Sequence, residues 1–330
     1  MSRYPFPSYP SGWFALSLSK DLGPDDVLTR QAFGQEVVLF RGSDGAPHLL
    51  GAYCPHMGAH LGKGGCVVDG TLRCPFHAFR FAGDGRCVSI PDVDKIPPAM
   101  KAEAFEVREV DGAVFVWHGC RGEGPSFEPP SYFDLRGTEG WTDMSWHTWE
   151  RVAAHPQETS ENSVDLAHFK HVHGYTDMSV VDALEVDGPT LRIGYTMARD
   201  LSNLGMPGQK VESIFRVRVH GLGYSVVEVS VPKFNTEFRT YVLSTPLDRD
   251  HVILRGGGIM KALPDANMSA MVEKLFFDGF VHDVEQDFAI WENKAYYERP
   301  LLAASDGPIG PYRKWARQFY AYEDDAVAAE

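Results

Sequence analysis

The chain has 330 residues, with 31 Lys and Arg against 45 Asp and Glu, a net charge of −14 with histidine neutral; this balance argues against a nucleic-acid binder, which needs basic residues opposite phosphate. Its 44% hydrophobic and 23% charged residues are those of a globular protein with a packed core, and no apolar run approaches the ~20 residues that span a bilayer, so no transmembrane segment is expected. The N-terminus lacks a signal-peptide core, and five cysteines, an odd number, do not suit a secreted disulfide scaffold, so a cytoplasmic location is expected.

In chain order, Asp-Gly pairs at 44–45, 69–70, 84–85 and 111–112 punctuate the first hundred-odd residues and read as tight hairpin turns. Between them the runs 35–41 and 113–117, rich in β-branched and aromatic residues, are the clearest predicted strands. This part is expected to be an antiparallel β domain. The Gly- and Pro-rich segment 119–131 has no periodicity and marks the boundary, giving domains of residues 1–125 and 126–330. Beyond it comes a predicted helix over 160–172. Strand-like runs follow at 190–197, 211–219, 224–231, 238–245 and 252–259. Met268, Met271, Val272, Leu275, Phe276 and Phe280 then recur at steps of three and four, which predicts a helix continuing through Trp291. Strands followed by one long helix define an α+β architecture with the helix on one face of the sheet.

Two constellations carry chemistry. Cys54-Pro55-His56 and Cys74-Pro75-Phe76-His77 each offer one thiolate and one imidazole within a Gly-rich surrounding. A [2Fe-2S] cluster with two cysteines on one iron and two histidines on the other needs this set. Zinc also accepts two cysteines and two histidines, but zinc fingers keep like ligands together, whereas each arm here is mixed. Cys66, Cys87 and Cys120 have no paired spacing and read as buried small hydrophobes, and His60 has no coordinating role left to fill. Lys63, Arg73, Arg80 and Arg86 lie in the same loops and offer a docking surface for an acidic electron carrier.

The second constellation runs from Glu161 to His173. Asn162, Asp165 and His168 step by three and share one helix face, while His171 and His173 follow. Two histidines and a carboxylate on one side of an iron leave open positions for dioxygen. A regular helix would pair His168 with His171, because the five-residue step to His173 turns about 140° away; Gly174 is a stop signal that would release His173 from the helix. The carboxylate must come from a distant segment. Asp283 and Asp287 are four apart, and periodicity does not separate them.

The segments CPHMGAHL and RCPFHAFRF resemble the Rieske motif, with Ala78-Phe79 where the family often has Gly-Trp, and residues 162–173 resemble the Rieske oxygenase pattern Asn-x-x-Asp-x-x-His-x-x-x-x-His. The resemblance implies a Rieske cluster held by Cys54, His56, Cys74 and His77, and a mononuclear Fe(II) held by His168, His173 and Asp287 in a helix-grip catalytic domain. It also implies functional roles for Asn162 and Asp165, with Asp165 bridging His77 of one subunit and His168 of the next in a homotrimer. A cluster beside a dioxygen-binding iron implies reductive activation of O2. No nucleotide-binding Gly motif is present, so electrons are expected from a separate ferredoxin or flavin reductase.

The runs GWFALSLSKDL and VVLFRGSDG look most like the steroid- and sterol-acting members. The tail through Lys294, Arg299-Pro300-Leu301-Leu302 and Tyr312-Arg313-Lys314-Trp315 is similar to their cholesterol 7-desaturases. The expected activity is hydroxylation, demethylation or desaturation of a hydrophobic polycyclic substrate. A smaller aromatic or alkaloid substrate is the rival within enzymes; an electron-transfer or lipid-binding protein without a second iron is the rival outside them.

Overall fold

A computed structural model describes residues 3–7, 9–200 and 208–322. The chain divides into two compact units, Trp13–Tyr132 and the rest. The described residues before Trp13 group with the second unit rather than the first, because Phe6 stacks on Tyr320 (4.9 Å) and packs against His155 (4.4 Å).

The first unit is built of β-strands with one 3-10 turn at Ser19–Asp21. β1 (Gly12–Leu18), β2 (Val27–Ala32), β3 (Gln35–Arg41) and β4 (Pro47–Gly51) are followed by β5 (Cys66–Val68), β6 (Thr71–Arg73), β7 (Arg80–Phe81) and β8 (Cys87–Ser89). β9 (Ala104–Phe105), β10 (Val107–Val110) and β11 (Ala113–His118) complete it. They form three sheets in the orders β1-β11-β10, β2-β3-β4-β9 and β5-β6-β7-β8. The Asp-Gly pairs make the hairpins. At Asp69-Gly70 and Asp111-Gly112 both residues take positive φ, as a type I′ turn requires, whereas at 44–45 and 84–85 only the glycine does. Val38, Phe40, Leu50, Leu61, Leu72 and Phe81, all fully buried, pack around Cys54 and Cys74.

The short helix α1 (Tyr132–Arg136) leads into the second unit. Its core is one seven-stranded antiparallel sheet, built from β12 (Ser145–Val152), β13 (Thr176–Asp187), β14 (Thr190–Asp200), β15 (Lys210–His220), β16 (Tyr224–Val231), β17 (Thr236–Pro246) and β18 (Val252–Met260). The order is β12-β18-β17-β16-β15-β14-β13. β12 and β13 are absent from the predicted strands. β13 is an edge strand, mostly exposed and interrupted by bulges, so it lacks the apolar alternation of a half-buried strand.

Helix α4 (Ala266–Trp291) lies on this sheet. Phe276 stacks on Phe238 of β17, centroids 3.6 Å apart, and Val284, Phe288 and Trp291 pack with Val252 and Leu254 of β18. Glycines of β18 make the approach close. A Cβ on Gly256 would lie 2.9 Å from Phe280, and one on Gly258 would lie 2.8 Å from Phe277, so the absent side chains are what let the helix aromatics rest on the backbone. Met268, Met271 and Leu275, which contribute to the periodic signal, are 53%, 64% and 47% exposed and face outward. The predicted helix over 160–172 is two helices, α2 (Pro156–Glu161) and α3 (Leu166–His171). The tail adds α5 (Ile309–Ala316). Among the described residues no helix is long and apolar enough to cross a membrane.

Candidate active site and metal centres

The two Cys-containing loops of the first unit repeat one backbone pattern. The amide of Cys54 donates to Ala59 O (2.8 Å) and that of Gly58 to Cys54 O (2.9 Å). The amide of Cys74 donates to Phe79 O (2.8 Å) and that of Ala78 to Cys74 O (3.2 Å). Gly58 (φ 74°) and Ala78 (φ 58°) hold the same left-handed position, four residues after the cysteine. An L-residue there costs about 1–2 kcal/mol, so Ala78 is held in a strained conformation that Gly58 takes freely. Phe79 stacks on His56, ring centroids 4.5 Å apart and nearly parallel.

Cys54 and Cys74 are buried, whereas His56 is exposed and its ring lies 4.7 Å from that of His77. Burial pushes the Cys54 thiol above its ordinary pKa, while the amides of His56 and Met57, aimed at the sulfur, favour the thiolate. Two buried cysteines with an exposed His56 and a half-buried His77 fit a [2Fe-2S] cluster with mixed ligation. His60 is occupied elsewhere: its Nδ1 accepts from Gly62 N (3.1 Å) and its Nε2 lies 3.5 Å from Glu36. Arg80 and Arg86, read as docking residues, are paired with Asp69 (2.7 Å) and Asp84 (2.6 Å), which cancels their charge locally. Cys66 is exposed, not buried as expected, because β5 is a short strand whose first residue faces solvent; Cys87 is buried and Cys120 half-buried.

In the second unit, α2 has the sequence PQETSE and every residue of it is buried. A helix this polar is tolerated inside only when its groups find partners, and the chain after α4 supplies them. Gln157 Nε2 donates to Tyr296 Oη (2.7 Å), Lys294 Nζ meets Glu158 at 2.5 Å, and Ser160 Oγ bonds Tyr312 Oη (2.6 Å). Arg313 donates two bonds to Glu161, at 2.6 and 2.8 Å. In the sequence this network is marked only by the density of Tyr, Lys and Arg in the tail, which has no periodicity to betray it.

The break between α2 and α3 sets the site. Asn162 ends α2, so it does not share one continuous helix face with Asp165 and His168 as expected. Asp165 is instead the N-cap of α3, its Oδ1 accepting from His168 N at 3.2 Å. Its carbonyl oxygen lies 2.5 Å from His168 Nδ1, which makes Nδ1 the donor and leaves Nε2 free. α3 ends at His171, and Gly174 (φ 73°) turns the chain, with Tyr175 N donating to Phe169 O at 3.0 Å. His173 is therefore off the helix. Its Nδ1 bonds Gln286 Oε1 (3.0 Å) and its Nε2 lies 3.5 Å from Asp287 Oδ1.

His168, His173 and Asp287 each offer one ligand atom, all within 4.8 Å of one another. His171 is exposed and outside this group. Burial holds His168 neutral, its pKa lowered to about 3, which is the form that ligates. Burial pushes Asp287 up to about 7, against a hydrogen bond from Asn162 that lowers it; a cation between the three groups would satisfy the carboxylate. Aromatic rings pack beside the group: Phe169 lies 6.0 Å from His173 and 5.3 Å from Tyr195, which stacks on Phe215 at 6.1 Å. Asp283 is taken by Tyr175 and Arg199. Two imidazoles and one carboxylate on one side of a small space fit a non-heme iron with open positions. Outside α3 is a depression of about 370 Å³ lined by Glu161, Asp165, His168, His171, Asp306 and Arg313.

Fold and donor sets together define the class, the oxygenase component of a Rieske-type iron enzyme. Residues 12–106 match the Rieske [2Fe-2S] domain, and residues 116–320 match the 3-ketosteroid 9alpha-hydroxylase C-terminal domain. A 3-ketosteroid-9-alpha-monooxygenase oxygenase component of Rhodococcus rhodochrous is 31% identical over 323 residues, covering 95% of this chain and 82% of the relative. Cholesterol 7-desaturase nvd 1 of Ciona intestinalis is 31% identical over 342 residues, covering 95% and 69%. Among solved structures, dicamba monooxygenase bound to dicamba superposes with TM-score 0.70 at 18% identity, over 97% of this chain and 98% of that one. NdmA of Pseudomonas putida CBB5 with caffeine gives 0.72 at 18%, over 92% and 89%. The chain belongs to the Rieske oxygenases with a 3-ketosteroid 9alpha-hydroxylase type catalytic domain. It is an oxidoreductase whose cofactors are a Rieske [2Fe-2S] cluster and a non-heme iron, and as an oxygenase component it uses O2 and a separate electron-transfer partner.

Proposed function

We propose that this protein is the terminal oxygenase of a system that hydroxylates, demethylates or desaturates a sterol or steroid. The observation that carries the reading is the convergence of His168, His173 and Asp287 within 4.8 Å, with the Phe169 ring 6.0 Å from that of His173. The substrate class is supported by the steroid and sterol named for the relatives at 31% identity over most of the chain; the solved structures with smaller substrates, at 18% identity, support the fold alone. Cys54, His56, Cys74 and His77 are the cluster ligands, and His168, His173 and Asp287 the iron ligands. Domains of residues 1–125 and 126–330 carry one centre each.

When bound, the cluster supplies electrons singly and the iron supplies the site of dioxygen reduction. The chain's own residues supply geometry. The Asp165 carbonyl and the Gln286 amide each hold an imidazole by Nδ1, which presents both Nε2 atoms inward. Asn162 orients the Asp287 carboxylate. The packed rings of Phe169, Tyr195 and Phe215 surround one side of the group with apolar surface, which suits a hydrophobic substrate.

Asp165 carries the link between centres. Its carboxylate borders the outward depression beside His168, where His77 of a neighbouring subunit would approach. The route needs an oligomer, and a homotrimer is the arrangement proposed. A ferredoxin or flavin reductase is the proposed donor. The cytoplasm, which keeps an odd set of thiols reduced, is the proposed compartment.

The test is product analysis by mass spectrometry after incubation with a sterol and steroid panel, dioxygen and a surrogate reductase. Oxidised steroid products are expected. Turnover of small aromatics or alkaloids with none of the steroids or sterols would overturn the substrate assignment.

A further inference from the structure

Asp283 and Asp287 stand one turn apart on α4, the i, i+4 spacing at which two side chains of one helix bind a single metal ion. Spacing therefore admits both carboxylates to the iron. Their surroundings separate them. Asp287 faces His173 and Asn162. Asp283 has both oxygens engaged: Tyr175 Oη donates to Oδ2 at 3.1 Å, and Arg199 Nη2 donates to Oδ1. The guanidinium also lies over the Tyr175 ring, 4.7 Å from its centroid, and that ring packs edge-on against Phe215 at 5.9 Å. Arg199 comes from β14 and Tyr175 from the turn after His173, so three separate parts of the chain meet at one carboxylate.

We infer that Arg199 is a positioning residue that, with Tyr175, locks Asp283 away from the iron and keeps the centre to two histidines and one carboxylate. The inference rests on the reading of His168, His173 and Asp287 as ligands. The lock matters because a second carboxylate would fill a position that dioxygen needs. Arginine is well matched to this role, since its charge is permanent and its planar fork binds a carboxylate while its face stacks on tyrosine.

The test uses the full chain with its cluster oxidised, its mononuclear iron removed and Co(II) added, read by the electron resonance of bound high-spin Co(II) and by titration of Co(II) affinity. Arg199→Met is expected to change the Co(II) signal and to alter affinity on the order of tenfold, as outer partners of metal sites do. Arg199→Lys, which keeps the charge but loses the stacked guanidinium, should restore the wild-type signal in part. The Arg199→Met, Asp283→Asn double variant should return to it, which a merely structural strut would not do. If Arg199→Met does not fold, Tyr175→Phe loosens the same lock while leaving the charges paired, and a second Co(II) species that Asp283→Asn removes is expected. A wild-type Co(II) signal in every foldable lock variant overturns the inference. Absence of Co(II) binding in the wild type, or its persistence in both His173→Ala and Asp287→Ala, overturns the ligand reading instead.

Discussion

His173 Nε2 lies 3.5 Å from Asp287 Oδ1, and both side chains are almost fully enclosed. One is delivered by a chain that has just left α3, the other by the long helix α4. The contact forms because Gly174 ends the short helix and Gln286, next to Asp287, holds the opposite edge of the His173 ring.

Removing any of the three converging groups should empty the mononuclear site alone. His168→Ala, His173→Ala and Asp287→Ala are each expected to fall from about three irons per chain to about two, retaining the cluster's spectrum. His171→Ala, at an exposed position, should keep about three. Metal analysis after anaerobic purification decides it; loss of iron in His171→Ala with retention in His173→Ala would reverse the ligand assignment.

Asp165→Asn separates charge from shape. Asparagine caps a helix as well as aspartate does, so α3 should persist. Both metal centres should load normally. Reoxidation of the cluster on mixing with substrate and O2 should slow by on the order of tenfold to a hundredfold, as loss of an orienting carboxylate does at metal sites. A wild-type rate in the fully metallated variant would remove the bridge.

The polar helix α2 makes a stability prediction. Arg313→Met leaves the Glu161 carboxylate, 8% exposed, without its fork and should cost about 3–5 kcal/mol. Adding Glu161→Gln should recover part of that loss, since a neutral amide is cheaper to bury. Urea denaturation of the three proteins measures both steps.

Stability should also fall with acid through two buried histidines outside the metal triad. Burial lowers His155 and His220 to about 3. Between that value and the ordinary 6.5 the unfolded chain takes up protons that the fold refuses, so each group adds a slope of about 1.4 kcal/mol per pH unit, stability rising with pH. Above pH 6.5 neither contributes. Glu158, raised by burial, acts with the opposite sign from 4.5 upward, which makes a difference measurement the right one. Replacing His220 by Gln should flatten the curve below about pH 6 by about that slope, and an unchanged curve would contradict a neutral buried His220.

Much of this protein was legible from local pattern. The two mixed Cys and His arms, the Asp-Gly hairpins, five of the seven strands of the large sheet and the long helix are features of neighbouring residues, and neighbouring residues are what periodicity and spacing report. The loops around Cys54 and Cys74 even close by the same pair of backbone bonds, each opening on Cys-Pro and turning through a positive φ four residues after the cysteine.

The rest depends on contacts between distant segments. Asp283 and Asp287 are equivalent to any helical period; they differ because Arg199 and Tyr175 reach one and His173 and Asn162 reach the other. The helix expected over 160–172 breaks because Asp165 caps a new one, leaving α2 buried by partners that arrive from the far end of the chain. A carboxylate or a polar helix carries no mark of the partner it will meet, so burial and charge pairing were settled by the folded chain.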